Sequence, residues 1–211
     1  MLATDWRGDV PEGGLVVQQK IDGIRALWLG DRLITREGSR ILGVDHIAAE
    51  LRQLQAAFGR PMMMDAELQV DGALRPTTRH FQRQGRDGDA GRLHLFDAIP
   101  IENYRQNDCT QPLTARLSAL DAAADHCTLS AVGVLPWRIL GSVETVRAAA
   151  ERVWATGGEG LVIKAPVSTY HRGRSRDWLK VKLLAPVAGF REALLCQTAE
   201  ASALLPEDCR L

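Results

Sequence analysis

Short apolar runs separated by turn residues dominate the first third of the chain. Leu15–Gln19 suits a strand, as do residues 24–29 and 32–35, with Gly30-Asp31 a hairpin turn between the last two. Residues 45–58 change period. Ile47, Leu51, Leu54 and Phe58 recur at i, i+4, i+7 and i+11, the stripe of an amphipathic helix. Residues 62–70 return to strand and end on Asp71-Gly72, a turn signal. Residues 75–92 are polar and rich in Arg and Gly, which predicts that they include a mobile loop; Arg79, Arg83 and Arg86 would share one face if the stretch were helical. Beyond it the pattern predicts a strand over 93–98, a helix over 112–127, and a strand over 132–140. A helix capped by Ser142 with Glu144 in its first turn runs to Thr156. Strands over 160–165 and 178–183 close the series. Antiparallel-looking strand groups with helices between them argue for an α+β fold.

Composition removes several classes. The 211 residues are 45% hydrophobic and 25% charged, as in a folded globular protein. Lys+Arg and Asp+Glu each number 26, so net charge is zero and any nucleic-acid surface must be a local patch. No apolar run reaches the roughly 18 residues of a membrane span, and the N-terminus lacks a secretion signal pattern. Cys109, Cys127, Cys196 and Cys209 are scattered, which fits reduced thiols and a cytoplasmic location rather than a zinc site. Of the 26 basic residues only four are Lys: Lys20, Lys164, Lys180 and Lys182. A GC-rich genome explains the Arg bias. Because only Lys can lose its proton near neutral pH, each retained Lys is a candidate for chemistry.

Lys20 ends an apolar strand and precedes Asp22-Gly23 and Arg25. Partial burial beside a cation would make it a nucleophile; a surface Lys beside a turn fits the same letters. Glu67 emerges from the apolar Met62-Met63-Met64 strand, either as a ligand for ribose or metal or as a solvated edge residue. Phe96 is a base-stacking or a core aromatic. Glu159 follows Gly157-Gly158 and opens an apolar strand ending in Lys164, a place where backbone approaches a ligand and a carboxylate can meet Mg²⁺. Lys180 and Lys182 share one face of a strand and repel each other unless an anion lies between them.

Taken in order, Lys20-x-Asp-Gly-x-Arg25, Thr35-Arg36-Glu37-Gly38, Asp65-x-Glu67, Phe96-Asp97, Glu159-Gly-x-x-x-Lys164 and Lys180-x-Lys182 resemble the motif series of covalent nucleotidyltransferases. The wording is most similar to bacterial and bacteriophage ATP-dependent DNA ligases, with RNA ligases and mRNA capping enzymes as relatives. The resemblance implies the ATP-grasp-like nucleotidyltransferase domain of DNA ligases, antiparallel sheets flanked by helices. It implies that Lys20 attacks the α-phosphate of ATP to form lysyl-AMP. AMP then passes to a 5′-phosphate at a nick, and the 3′-hydroxyl seals it. It places Gln18, Gln19, Lys20, Ile21, Arg25, Glu67, Phe96, Lys164, Lys180 and Lys182 around the nucleotide. Glu159 and Glu67 would hold Mg²⁺. Arg36, Arg40, Arg79, Arg83, Arg172 and Arg174 would meet nicked duplex DNA, with Arg25 also near the nick.

Such ligases carry an OB-fold domain after the Lys-x-Lys strand, yet only 29 residues follow Lys182. The expectation is therefore an adenylation domain over 1–184, a short tail over 185–211 and no OB-fold domain, in a monomer that uses a separate DNA-clamping partner. ATP is the expected donor, since 19 residues before Lys20 leave no room for the extra domain of NAD-dependent ligases. An RNA ligase or capping-type enzyme, and a non-catalytic nucleic-acid binder, are the alternative readings; repair, replication and recombination are the roles open to it.

Overall fold

The computed structural model describes residues 1–82 and 90–182. Its elements in chain order are β1 (Leu2–Asp5), β2 (Leu15–Gln19), β3 (Ile24–Trp28), β4 (Leu33–Thr35), α1 (Asp45–Ala57), β5 (Met62–Gln69), α2 (Leu74–Gln82), β6 (Arg92–Pro100), α3 (Ile101–Gln106), α4 (Leu113–Ala124), β7 (Val132–Val134), β8 (Arg138–Leu140), α5 (Val143–Ala155), β9 (Gly160–Lys164) and β10 (Arg174–Lys182). The strands form two sheets, ordered β1-β10-β9-β2-β8 and β4-β3-β5-β6-β7. The α+β expectation holds. Pairing is antiparallel except for β1 with β10 and β6 with β7, which run parallel.

Burial explains the composition of the central strands. β2 lies between β9 and β8, and Leu15 to Gln18 are all buried. β5 lies between β3 and β6, and Met62 to Ala66 are buried. The second sheet buries one face against α1 and α4 through Trp28, Ala66, Leu68, Ile47, Leu51, Leu54 and Leu120. The first sheet buries its back against α5 through Val17, Leu161, Ile163, Val181, Val146 and Val153. A third cluster, with Leu27, Met63 and Ile99 of the second sheet and Trp178 of the first, joins the two sheets to each other.

Helix starts follow the sequence closely. Ser142 caps α5, accepting from the Thr145 backbone N–H while the Thr145 hydroxyl accepts from the Ser142 N–H. The structure adds to the sequence reading or corrects it in four places. The polar stretch expected to include a loop begins as helix α2, anchored by Thr77 on the Ala73 and Val70 carbonyls. The single strand over 132–140 is two strands, because the chain passes Pro136 and changes sheets. β1 and α3 were not foreseen; α3 begins where Ile101 N–H donates to the Pro61 carbonyl. β10 starts at Arg174, four residues earlier than its apolar letters suggest, because β1 supplies a partner for its polar half. Arg83, Arg86 and the tail 185–211 lie outside the described residues. Cys109 and Cys127 are free thiols. No described helix is long and apolar enough to cross a membrane.

Candidate active site

Between the sheets lies a cleft of about 500 Å³. Three strands of the first sheet build one wall by register. Lys164 pairs with Trp178, Val162 with Lys180, and Gly160 with Lys182, while Val162 also faces Gln18 across β2. Period two then sends Gln18, Val162, Lys164, Trp178, Lys180 and Lys182 to the cleft and Val17, Leu161, Ile163 and Val181 to the core behind.

Lys20 follows β2 and is fixed by its backbone N–H, which donates to the Gly160 carbonyl at 2.8 Å. No side chain fits at Gly160: its φ is +139° and a Cβ would lie 2.0 Å from the Val181 carbonyl oxygen. This close approach brings Glu159 between two lysines. Lys20 Nζ lies 2.6 Å from Glu159 Oε2 and Lys182 Nζ 2.5 Å from Oε1. Burial alone would raise the Glu159 carboxyl, but the hydrogen bonds from Lys182 and Lys20 outweigh it and hold it below its ordinary range. Glu159 pairs with Lys182, and Asp5 of β1 pairs with Lys180 at 3.3 Å.

The opposite wall comes from β3, β5 and β6. Gly23 lets the turn after Lys20 press on β5, where a Cβ would sit 2.4 Å from the Leu68 carbonyl oxygen. Glu67 faces Lys20 from this wall, and burial pushes its carboxyl up to about 7 against the attraction of Lys20 and Arg25. Arg25 lines the cleft, but its guanidinium is engaged. Nε and Nη2 donate to the fully buried Asp65 at 2.9 and 2.5 Å, and Nη1 donates to the Met1 carbonyl. Tyr170 donates to the same Asp65 at 2.7 Å.

Phe96 is half-buried, edge-on to Trp178 at 5.9 Å between centroids. Beneath it Lys164 is fully buried. Its Nζ donates to Gln18 Oε1 at 2.5 Å and to the Phe96 carbonyl at 3.1 Å, and lies 4.0 Å from the Trp178 ring centroid. Burial lowers this ammonium to about 7, against the attraction of Asp97 and Asp65. Gln18 is buried too, its amide donating to the Leu135 carbonyl.

Gln18, Gln19, Lys20, Ile21, Arg25, Arg36, Glu67, Phe96, Lys164, Lys180 and Lys182 all line this one cleft, with Glu159 bound to two of them. Arg36 pairs with its neighbour Glu37 at 2.9 Å on the rim. Arg40, Arg79, Arg172 and Arg174 are exposed and line no part of it; Arg172 lies over the Tyr104 ring. Arg83 is outside the described residues. Sequence reasoning quoted Asp65 in a motif without giving it a role, and missed Trp178, Tyr170 and Arg116 as site residues. Trp178 had a signal, since it shares parity with Lys180 and Lys182. So did Arg116, a charge on the leucine face of α4. Among the described residues no three His, Cys, Asp or Glu cluster as a ready metal cage. The two carboxylates flanking Lys20 do suit a cation such as Mg²⁺, which needs one or two protein carboxylates and takes its other ligands from phosphate and water.

The family model described as the ATP dependent DNA ligase domain matches residues 5–182, so it spans every motif in this cleft. The chain belongs to that family. This ligase domain is 26% identical over 190 residues to a DNA ligase of Haemophilus influenzae, covering 82% of this chain and 59% of that protein. It is 30% identical over 188 residues to a DNA ligase of Methanothrix thermoacetophila, covering 82% and 33%. Its fold matches the ATP-dependent DNA ligase of bacteriophage T7, solved in complex with ATP, at a TM-score of 0.71 and 16% identity, covering 86% of this chain and 67% of that one. The ligase domain therefore spans a third to three-fifths of the curated relatives it matches here.

Proposed function

We propose that this chain is an ATP-dependent DNA ligase that works through a nucleotide carried on Lys20. The observation that carries this reading is the setting of Lys20, held to Glu159 and faced by Glu67, in a cleft that collects all four lysines of the chain. Lys20 Nζ, once neutral, forms a bond to the α-phosphorus of ATP while the bond to the bridging oxygen breaks and pyrophosphate leaves. Lys180 and Lys182 neutralise the phosphate charge; Phe96, Val162 and Trp178 enclose the base; Glu67 meets the ribose. Mg²⁺ held by Glu159 and Glu67 would offset charge that builds on the phosphates. The AMP then passes to a 5′-phosphate at a DNA nick and leaves when the 3′-hydroxyl attacks.

DNA is favoured as acceptor because the matched family and the named relatives are DNA ligases. The exposed Arg36, Arg40, Arg79, Arg172 and Arg174 would contact its phosphates. Residues 1–184 act as the adenylation unit, in the cytoplasm, and an OB-fold or other DNA-clamping partner would hold the nicked duplex. Incubation with α-labelled ATP and Mg²⁺ should label the wild type and leave Lys20→Ala unlabelled. An unlabelled wild type, or an equally labelled Lys20→Ala, would overturn the reading. Comparing nicked DNA with nicked RNA, with and without an added OB-fold domain, then tests the acceptor and the clamp; faster sealing of RNA would point to the RNA-ligase alternative.

A further inference from the structure

Arg116 has a fully buried side chain on α4, where the other buried positions are Leu113, Leu117, Leu120 and Ala123. Its fork is held at all three nitrogens. Nε and Nη2 donate to Asp97 Oδ1 and Oδ2, each at 2.8 Å, and Nη1 donates to the carbonyls of Gln111 at 2.6 Å and Ser168 at 2.8 Å. Asp97 also accepts from the Ala98 N–H at 2.9 Å. These partners belong to separate parts of the molecule. Asp97 is in β6 of the second sheet, and Ser168 follows β9 of the first. The Thr114 N–H repeats the link by donating to the Pro166 carbonyl at 3.2 Å.

The network lies directly behind two walls of the cleft. Phe96 precedes Asp97, and its carbonyl accepts from Lys164 Nζ. Lys164 in turn lies two residues before Pro166. Neither Arg116 nor Asp97 lines the cleft. An ion pair this deeply buried is weak evidence for a stability role, since apolar replacements of similar volume often fold as stably. What a guanidinium fork held at all three nitrogens supplies is fixed geometry.

We infer that Arg116 is a positioning residue: through Asp97 and Ser168 it sets the spacing between the Phe96 wall and the Lys164–Trp178 wall, and thereby the choice of nucleotide base. The inference rests on the nucleotide reading of the cleft. It is tested with Arg116→Lys, which keeps charge and loses the fork, and Asp97→Asn, which keeps shape and one acceptor. Leu120→Ala on the same helix is the control for lost stability. Each protein is assayed well below its melting temperature for the maximum rate of Lys20 labelling, the half-saturating ATP concentration and the preference for ATP over GTP. Arg116→Lys and Asp97→Asn should raise half-saturating ATP about tenfold and cut the base preference about fivefold, with the maximum rate changed less than about threefold. Leu120→Ala should melt earlier and keep wild-type values. If the two variants fold and stay within about twofold of wild type on both counts, or if Leu120→Ala shifts them equally, the inference is overturned. Should Arg116→Lys not fold, Asp97→Asn decides alone. An unlabelled wild type would overturn the nucleotide reading and this inference together; a labelled wild type with indifferent variants overturns the inference only.

Discussion

The two sheets face one cleft but hold their charges differently. The first sheet and its loops carry all four lysines and Glu159, and the pairs at the mouth are part-exposed, with Lys20 and Glu159 about a quarter exposed and Lys182 about half. Glu159, shared between two lysines, is a contact that an incoming anion or cation can replace. The second sheet carries Arg25 and Asp65, where the carboxylate is fully buried and its arginine is held at all three guanidinium nitrogens by protein partners. Both are salt bridges between part of a motif and its neighbour, yet only the first is built to exchange. The difference is one of solvation: a pair that water reaches costs little to open, whereas separating a buried pair strands an uncompensated charge.

The sharpest way to break this comparison is at Lys20. Lys20→Arg keeps a cation beside Glu159, so melting temperature should move little, while labelling from ATP should fall at least about 10³-fold because guanidinium does not deprotonate. A labelled Lys20→Arg protein would remove Lys20 as nucleophile. Asp65→Asn should do the reverse and act first on folding. It leaves Arg25 half-buried without its anion and should cost about 3–5 kcal/mol in denaturant unfolding. A loss below about 1 kcal/mol would place the second sheet's pair with the exchangeable ones.

The first sheet was more legible in the sequence than the second. Lys180 and Lys182 could be put on one face by counting in twos, whereas the close backbone approach that Gly157-Gly158 suggested toward a ligand occurs at Gly160, against the Val181 carbonyl. Lys20 stood out because this chain otherwise uses Arg. The Asp65–Arg25–Tyr170 contact could not be read in this way, because its members are 40 and 105 residues apart and no period relates them. The same holds for Lys164 on Gln18, separated by 146 residues. Pattern shows which face of an element is buried; it does not show which distant face meets it. The split of 132–140 into β7 and β8 failed for a related reason, since both halves read as strand and only tertiary pairing sends them to different sheets.

Lys164 sits between the two types, on the first sheet yet buried like the second sheet's pair, and its effect should be intermediate. In the folded protein its ammonium titrates at about 7, against an ordinary value of 10.5. Between these values the unfolded chain binds the extra proton, so stability rises with pH from about 7 to about 10, by up to about 4 kcal/mol. In Lys164→Met that rise should vanish, and the variant should match or exceed wild type below pH 7. Unfolding titrations in urea at pH 6, 8 and 9.5 measure it; an unchanged slope would mean that the aromatic faces of Trp178 and Phe96 keep the ammonium charged.

Glu67 should show the opposite sign in the neighbouring window. Its folded carboxyl titrates at about 7 and its ordinary value is 4.5, so between them the folded protein holds the extra proton. Stability therefore falls as pH rises through that window, and the loss persists above 7. Partial exposure and the nearby Lys20 and Arg25 limit the effect to about 2 kcal/mol. Glu67→Gln cannot ionise, so its stability should be flat where wild type declines, and it should be the more stable protein at pH 8. Glu67 differs from Asp65, two residues earlier on the same strand, in that Arg25 directs its hydrogen bonds to Asp65 and the Met1 carbonyl and only attracts Glu67, and Asp65 correspondingly sits below its ordinary range. If adding ATP and Mg²⁺ erases the wild-type decline while leaving Glu67→Gln unmoved, the missing charge partner is the bound nucleotide complex. If the decline survives saturation, Glu67 is buried for packing alone and the second sheet contributes no carboxylate to the site.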